Sequence, residues 1–369
     1  MNWKKAGSRI LHTIAVLLVI LYLAGCLTPY ISPEAFPPMA LFALAFPFLF
    51  LLMVLLLLVY VFIKRRVALI LLILLFAGFR NIRHTFAWHR PVAFNMRKKQ
   101  GDLRVMSWNV GQMGTGLFVS AYRPGHAFFD IVETVDRYKP DVLLFQEFCV
   151  AYINPPYEYV SPVQKLDSLG YHYYCFAKDS AETVFTGPVI FSKTPLTDVR
   201  KYYLDLSSAV RESVMGATLV QGADTFNLYT AHLTSFRINR NYEAQDVRNY
   251  TLQYQSRGEV EKIIKGAVNH AREALLLAGQ VQGKRHSILG ADLNSTPASY
   301  AYNRVRGSLH DAFLENSFGL GTTYTHSFKT LRIDYVFHDD HFEVTQFRLD
   351  TTVHASDHYP IIADLRIKN

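Results

Sequence analysis

The chain has 369 residues, half of them hydrophobic and 14% aromatic, with 38 Lys+Arg against 30 Asp+Glu and a formal net charge of +8. That length holds one large domain or two ordinary ones, and the composition excludes a disordered or collagen-like chain. Residues 1–100 carry twelve Lys and Arg against Glu34 alone, so residues 101–369 keep 26 basic and 29 acidic side chains, a balance of −3. The positive excess flanks apolar segments, where it orients a chain in a bilayer. The remainder gives a nonspecific DNA binder little support. Three cysteines are too few for a disulfide scaffold. A bond between Cys149 and Cys175 stays open, and no Cys/His cluster has zinc-finger spacing.

Residues 10–27 form a nearly unbroken apolar stretch after Lys4, Lys5 and Arg9, and residues 39–63 form a second that ends at Lys64, Arg65 and Arg66. Both reach the roughly 20 residues needed to cross a bilayer. The run 67–79 is shorter. It spans only if its helix continues to about residue 88, with Arg80, Arg83 and His84 snorkelling to the headgroups; otherwise it is interfacial or re-entrant. The basic N-terminus and Lys64–Arg66 read as cytoplasmic, and residues 28–38, without Lys or Arg, read as an outer loop. Three spans (about 10–28, 39–63 and 67–88) then place the rest of the chain outside the cytoplasm, on a multi-pass protein of a bacterial inner membrane. The six basic residues from Arg80 to Lys99 oppose that orientation, although long domains translocate largely regardless of charge. Leu23-Ala24-Gly25-Cys26 also resembles a lipoprotein signal with Cys26 as the lipidated residue; the further apolar segments make such an anchor redundant.

The division expected is an anchor over 1–90, a polar linker over 91–101 and a soluble domain over 102–369. In the soluble domain, β-like runs are predicted at 103–109, 141–146, 189–192, 213–220, 225–233, 287–290, 333–337 and 361–367. Helices are predicted at 127–138 and 256–277, the second with Val260, Ile263, Ile264, Ala267, Ala271 and Leu275 as an apolar stripe. Many strands and few helices suggest an α/β fold of two packed sheets flanked by helices.

Six short motifs place polar, metal-competent side chains at the ends of these strands. They are Ser107-Trp108-Asn109, Phe145-Gln146-Glu147, Thr230-Ala231-His232-Leu233, Gly290-Ala291-Asp292-Leu293-Asn294, Arg332-Ile333-Asp334-Tyr335 and Ser356-Asp357-His358. Oxygen-rich side chains gathered from distant parts of a chain suit a hard cation such as Mg²⁺, which keeps waters that a phosphate can replace. Each residue has a plainer reading. Asn109 could cap a strand, His232 could be a core histidine, and Asp292 and Asn294 could be loop residues before Thr296-Pro297. Asp334, between two apolar neighbours, is harder to explain away, because a buried carboxylate needs a partner.

In this order and spacing the motifs resemble the endonuclease/exonuclease/phosphatase superfamily, which includes DNase I-like nucleases, apurinic endonucleases, inositol-polyphosphate phosphatases and neutral sphingomyelinases. The resemblance covers about residues 103–367 and implies a four-layer DNase I-like sandwich with metal-dependent phosphoesterase activity. It implies Glu147 as the principal metal carboxylate, with Asn109 and Asp357, for Mg²⁺ or alternatively Mn²⁺. Asp292 would position or deprotonate the attacking water, and Asn294 would hold the phosphate or that water. His358, paired with Asp334, would stabilise the developing charge, while His232 and Arg211 would contact phosphate. The partners expected are the lipid bilayer and a phosphoester, either nucleic acid or a lipid headgroup, with no obligate protein partner evident. Arg237, Arg240, Arg248 and Arg257 favour nucleic acid unless they merely form a solvated loop. The tether and the aromatic stretches 116–119 and 152–159 favour lipid. The reading from a different class is a membrane-bound binding or scaffold protein that keeps the fold without turnover.

Overall fold

The computed structural model describes residues 3–111, 126–151, 161–175, 184–204, 213–222, 224–236, 258–325 and 331–368. Four helices come first: α1 (Trp3–Cys26), α2 (Met39–Ile63), α3 (Arg65–Phe76) and α4 (Phe79–Thr85). Arg9–Cys26 within α1 and the whole of Met39–Ile63 are long and apolar enough to cross a membrane. The third expected span is not one continuous helix. It breaks between α3 and α4, which are bent by 61°. The break falls at Gly78, where a Cβ would collide with the Tyr22 ring; the Tyr22 hydroxyl donates to the Leu75 carbonyl at 2.8 Å. A side chain inserted into a helical ladder beside a glycine is a common cause of such a kink. Cys26 is buried at the end of α1, against Tyr22 and Gly78.

A short strand β1 (Ala87–Trp88) pairs with β11 (Phe318–Gly319), and the remaining strands form two six-stranded sheets. The first holds β2 (Leu103–Asn109), β3 (Val142–Ala151), β4 (Tyr173–Cys175), β5 (Val184–Ser192), β13 (Phe342–Leu349) and β14 (Ile361–Ile367), in the order β13-β14-β2-β3-β5-β4. The second holds β6 (Leu196–Tyr203), β7 (Ser213–Gln221), β8 (Asp224–His232), β9 (Ser287–Asp292), β10 (His310–Asp311) and β12 (Asp334–His338), in the order β10-β12-β9-β8-β7-β6. The pairs β2/β3 and β8/β9 are parallel. Parallel neighbours need a crossover, and α5 (His126–Tyr138) and α7 (Glu259–Val281) provide it. Shorter helices α6 (Pro162–Asp167), α8 (Tyr300–Arg306) and α9 (Ala312–Asn316) complete the fold.

Alternation along the strands builds three apolar layers. Val105, Leu144, Ile190, Met215, Leu228 and Ile288 fill the space between the sheets. Trp108 and Phe145 face Ile131 and Val135 of α5, and Tyr229 and Leu289 face Ala274 and Leu277 of α7. The result is the expected α/β sandwich in four layers. Both β2 and β14 match their predicted ranges residue for residue. The sheets approach so closely at Gly290 that a Cβ there would lie 2.7 Å from Ser107 Oγ and 2.8 Å from Leu144 Cβ.

Some expectations fail for a physical reason. β6 and β13 went unpredicted because both are edge strands, half exposed, whose polar residues break the apolar run. The stripe predicted for the long helix holds in part: Ala271 is buried and Ile263, Ile264 and Ala267 are half-buried, but Val260 and Leu275 are exposed, and the buried face is Gly266, His270, Ala271, Glu273, Ala274, Leu277 and Val281. Two polar side chains belong to that face because they bind loops of the site. Cys149 and Cys175 are both buried and are not joined to each other.

The helical segment docks against the sandwich. Thr28 Oγ1 donates to the Ala298 carbonyl, Arg80 Nε to Asn303 Oδ1 at 3.2 Å, and Arg332 Nη2 to the His84 carbonyl. Arg272 pairs with Glu34. These ties hold the loop between α1 and α2, and α4, against the edge of the sandwich where the strand-end motifs converge.

Candidate active site

The carboxyl ends of the two parallel pairs lie at this edge, the usual place for a ligand in a sheet of this kind. Asn109 ends β2, His232 ends β8 and Asp292 ends β9. His232 and Asp334 are both register partners of Asp292, so the three lie side by side on adjacent strands. Glu147 gets there differently. The β3/β5 register shifts between Phe145 and Phe148, and Glu147 sits in this bulge with φ of +49°. A bulge re-aims a side chain, at the cost of a backbone conformation that non-glycine residues rarely adopt. Asn294 also has a left-handed backbone, at φ +46°, which Asn tolerates better than most. Its own N–H donates to Asp292 Oδ1 at 2.8 Å.

Asp292 is the centre of the arrangement. Its Oδ2 accepts from Asn109 Nδ2 at 2.9 Å and lies 3.6 Å from His232 Nε2 and 3.7 Å from His358 Nε2. Asn109 Nδ2 also approaches Glu147 Oε1 at 3.4 Å, and His232 Nε2 lies 3.7 Å from the same oxygen. Asn294 Nδ2 donates to the Leu233 carbonyl at 2.9 Å and approaches His232 Nε2 at 3.2 Å. His358 Nδ1 donates to Asp334, with its two carboxylate oxygens at 3.0 and 2.9 Å. Trp108 Nε1 donates to the His358 carbonyl at 2.8 Å, and Ser356 Oγ donates to the Asn109 carbonyl at 2.8 Å. Both bonds pin the Ser356–His358 loop to β2. Asp357, the least buried of the set, lines the same cavity as Glu147, Asp292, Asn294 and His358.

Electrostatics divides these groups. Burial opposes a charge on His358, but the carboxylates of Asp334 and Asp292 outweigh it and push the imidazole up to about 10. Burial, and then the Asp334 charge, push Asp292 up to about 6. Asp292, Asp334 and His358 bring one donor atom each within 4.8 Å of one another. Among the described residues this trio is close enough to hold a metal ion, and with His358 protonated it is an ion-paired relay. Glu147, Asp357 and Asp292 bring further carboxylate oxygens to the same cavity. Asn109 turns its amide nitrogen to the carboxylates and its oxygen to the Gly111 N–H, at 3.1 Å. It bridges Glu147 and Asp292 as a donor in this conformation. Carboxylate oxygens of this kind are the donors that a hard divalent cation takes.

Seven of the residues singled out from sequence converge at the site: Asn109, Glu147, His232, Asp292, Asn294, Asp334 and His358. Asp357 lines the cavity they share. Arg211 lies outside the described residues, as do Arg237, Arg240, Arg248, Arg257 and the stretches 116–119 and 152–159. Sequence reading missed a supporting layer. Gln146 Nε2 reaches from the first sheet to Thr230 Oγ1 in the second at 2.9 Å. On α7, Glu273 accepts the Thr234 N–H at 2.9 Å, and His270 bonds to both the Thr234 carbonyl and Ser295 Oγ. The loops that follow His232 and Asn294 are thereby fixed to one helix. The Tyr324 ring lies 4.9 Å from that of His358. Polar residues inside the buried helical face were the available signal for His270 and Glu273.

The chain belongs to the Endonuclease/Exonuclease/phosphatase family, whose model matches residues 106–358. A model for a domain of unknown function matches residues 8–85. No curated protein matches the chain. Among solved structures, it is similar to an endonuclease/exonuclease/phosphatase from Beutenbergia cavernae, with 18% identity, 73% of this chain and 72% of that one covered, and a TM-score of 0.53. A family protein from Bacteroides thetaiotaomicron matches at 16% identity over 72% of this chain and 94% of its own, with a TM-score of 0.50. The fold is thus that of a family of phosphoesterases.

Proposed function

We propose that this protein is a membrane-anchored, Mg²⁺-dependent phosphoesterase that hydrolyses a phosphodiester with an activated water. The observation that carries the reading is the Asp292 carboxylate, fully buried and ringed by Asn109, His232 and His358. Buried carboxylates perturbed by specific charged partners cluster at functional sites.

Glu147 and Asp357 would hold the ion, with Asn109 as a further ligand once its amide is turned so that the oxygen faces them, and with Mn²⁺ as the alternative metal. Bound there, the ion would offset charge on the phosphoryl oxygens and lower the pKa of water. Asp292 orients the water and takes its proton. His358, kept cationic and oriented by Asp334, donates toward the phosphoryl oxygens as charge builds on them. His232 and Asn294 contact phosphate, and Arg211 is assigned to it from the family resemblance alone.

Docking of residues 28–38 on the sandwich supports a catalytic domain on the same side of the membrane as that loop. With Lys64–Arg66 in the cytoplasm, that side is extracytoplasmic. The fit suggests an anchor through residue 90 and a catalytic domain from about residue 102.

The test is hydrolysis of bis(p-nitrophenyl) phosphate by the full-length protein in detergent micelles. We expect turnover with Mg²⁺, its loss in EDTA and its return with added metal. Absence of turnover with both Mg²⁺ and Mn²⁺ would leave a binding protein on this fold.

A further inference from the structure

The cavity above Asp292 has a volume of about 500 Å³, and both parts of the chain wall it. Glu147, Asp292, Asp357 and His358 give its wall acidic and hydrogen-bonding groups. Met39, Ala40, Ala43 and Leu44 of α2, with Ile263 and Ala267 of α7, give it apolar ones. These α2 residues begin the more apolar of the two membrane-crossing helices. At 1.5 Å per residue, Met39 to Leu44 carries this wall about 8 Å along the helix from its start. Tyr30 and Phe36, both exposed, precede it, as aromatic residues do where a helix enters a bilayer. The candidate catalytic groups and the first turns of an apolar, membrane-length helix thus wall one cavity.

The charge of the lining selects among phosphoesters. Among the described residues that line it there are four carboxylates, Glu147, Glu259, Asp292 and Asp357, and no Lys or Arg. A polynucleotide presents a phosphate at every residue and is held chiefly by cations. A lipid presents its phosphate at the headgroup, and its chain gains by leaving water for an apolar wall.

We propose that the substrate is a lipid phosphoester, its phosphate over Asp292 and Glu147 and its hydrocarbon chain along Met39–Leu44 of α2. The proposal rests on the phosphoesterase reading above and names the substrate of that site. The water oxygen bonds to phosphorus, one phosphorus–oxygen ester bond breaks, and the departing oxygen takes a proton. The products are an alcohol and a phosphate monoester, and no co-reactant besides water is needed.

The experiment compares two diesters that share a chromogenic leaving group: hexadecyl p-nitrophenyl phosphate and ethyl p-nitrophenyl phosphate. Each is given to the full-length protein in the same Mg²⁺-containing micelles, beside a single-stranded twelve-nucleotide DNA. Two methylenes seated on an apolar wall are worth about tenfold, so we expect kcat/KM for the hexadecyl ester to exceed the ethyl ester by at least that ratio. Leu44→Gln and Ile263→Gln, one from each wall, should lower the ratio toward one; mere co-location in the micelle would leave it unchanged. Equal rates on the two esters, a ratio kept in both variants, or faster cleavage of the DNA would overturn the lipid assignment and leave the phosphoesterase standing. Hydrolysis of none of the three would overturn the phosphoesterase reading itself.

Discussion

Thr28 donates its hydroxyl to the Ala298 carbonyl at 2.6 Å, although 270 positions separate them in the chain. Ala298 lies four residues beyond Asn294, so the bond ties the loop between the first two apolar helices to the wall of the candidate active site. The Arg272–Glu34 pair and the approach of Thr296 Oγ1 to the Ala43 carbonyl at 3.4 Å extend the same junction. The N-terminal helical segment thus forms part of the wall of the candidate site's cavity.

This junction bears on topology. If residues 28–38 face outward, the sandwich docked on them faces outward, and α3 with α4 must recross the membrane between Lys64–Arg66 and the sandwich. Alkaline phosphatase fused after Asn95 should be active, and green fluorescent protein fused there should be dark. The reverse pattern would exclude three crossings.

Metal binding should depend on Glu147. Glu147→Gln removes one charge and keeps the shape, so it should weaken Mg²⁺ binding at least about tenfold and remove most activity. Circular dichroism should stay that of the wild type. Unchanged affinity in a calorimetric titration would move the ion to other ligands.

The His358–Asp334 pair should act as a unit. Asp334→Asn and His358→Ala should each lower kcat by about 10²–10⁴, and the double variant should be little worse than either. Fully additive losses would mean that the hydrogen bond does not matter to turnover.

His270 supplies a stability prediction with a definite sign. Burial holds its imidazole down to about 4 in the folded state, against about 6.5 in an unfolded chain. Its contribution is complete above pH 6.5 and is lost as pH falls from there toward 4, by on the order of 3 kcal/mol. His232 is a charged neighbour that also lowers it, and Glu273 shares the Thr234 backbone with it. Between pH 7 and 4.5 the Tm of the wild type should fall more steeply than that of His270→Asn. Parallel curves would assign the acid sensitivity to other groups.

Much of this was legible in the sequence, for reasons that differ by residue. Strands rich in buried apolar residues, such as β2 and β14, could be placed to the residue despite Arg104 and Asp364 inside them, and polar residues at strand ends mark a site. Asp334 could be read as functional from the expense of burying an acid between Ile333 and Tyr335. The edge strands β6 and β13 carry no such signal, because one side of each is open to water. The bulge at Glu147, the kink at Gly78 and the docking of residues 28–38 depend on contacts between distant parts of the chain. Gln146 was visible only as a neighbour of Glu147, because its partner Thr230 lies on the other sheet.

The central claim is that Asp292 activates the water that hydrolyses a phosphoester, and the most direct measurement is the turnover of Asp292→Asn. Asn at this position can still accept from Asn294 N–H, so the fold should survive while the negative charge is lost. With saturating Mg²⁺, full-length Asp292→Asn should hydrolyse bis(p-nitrophenyl) phosphate about 10²–10⁴-fold more slowly than the wild type, with Tm unchanged or raised. A rate within about threefold of the wild type in a folded protein would contradict the account.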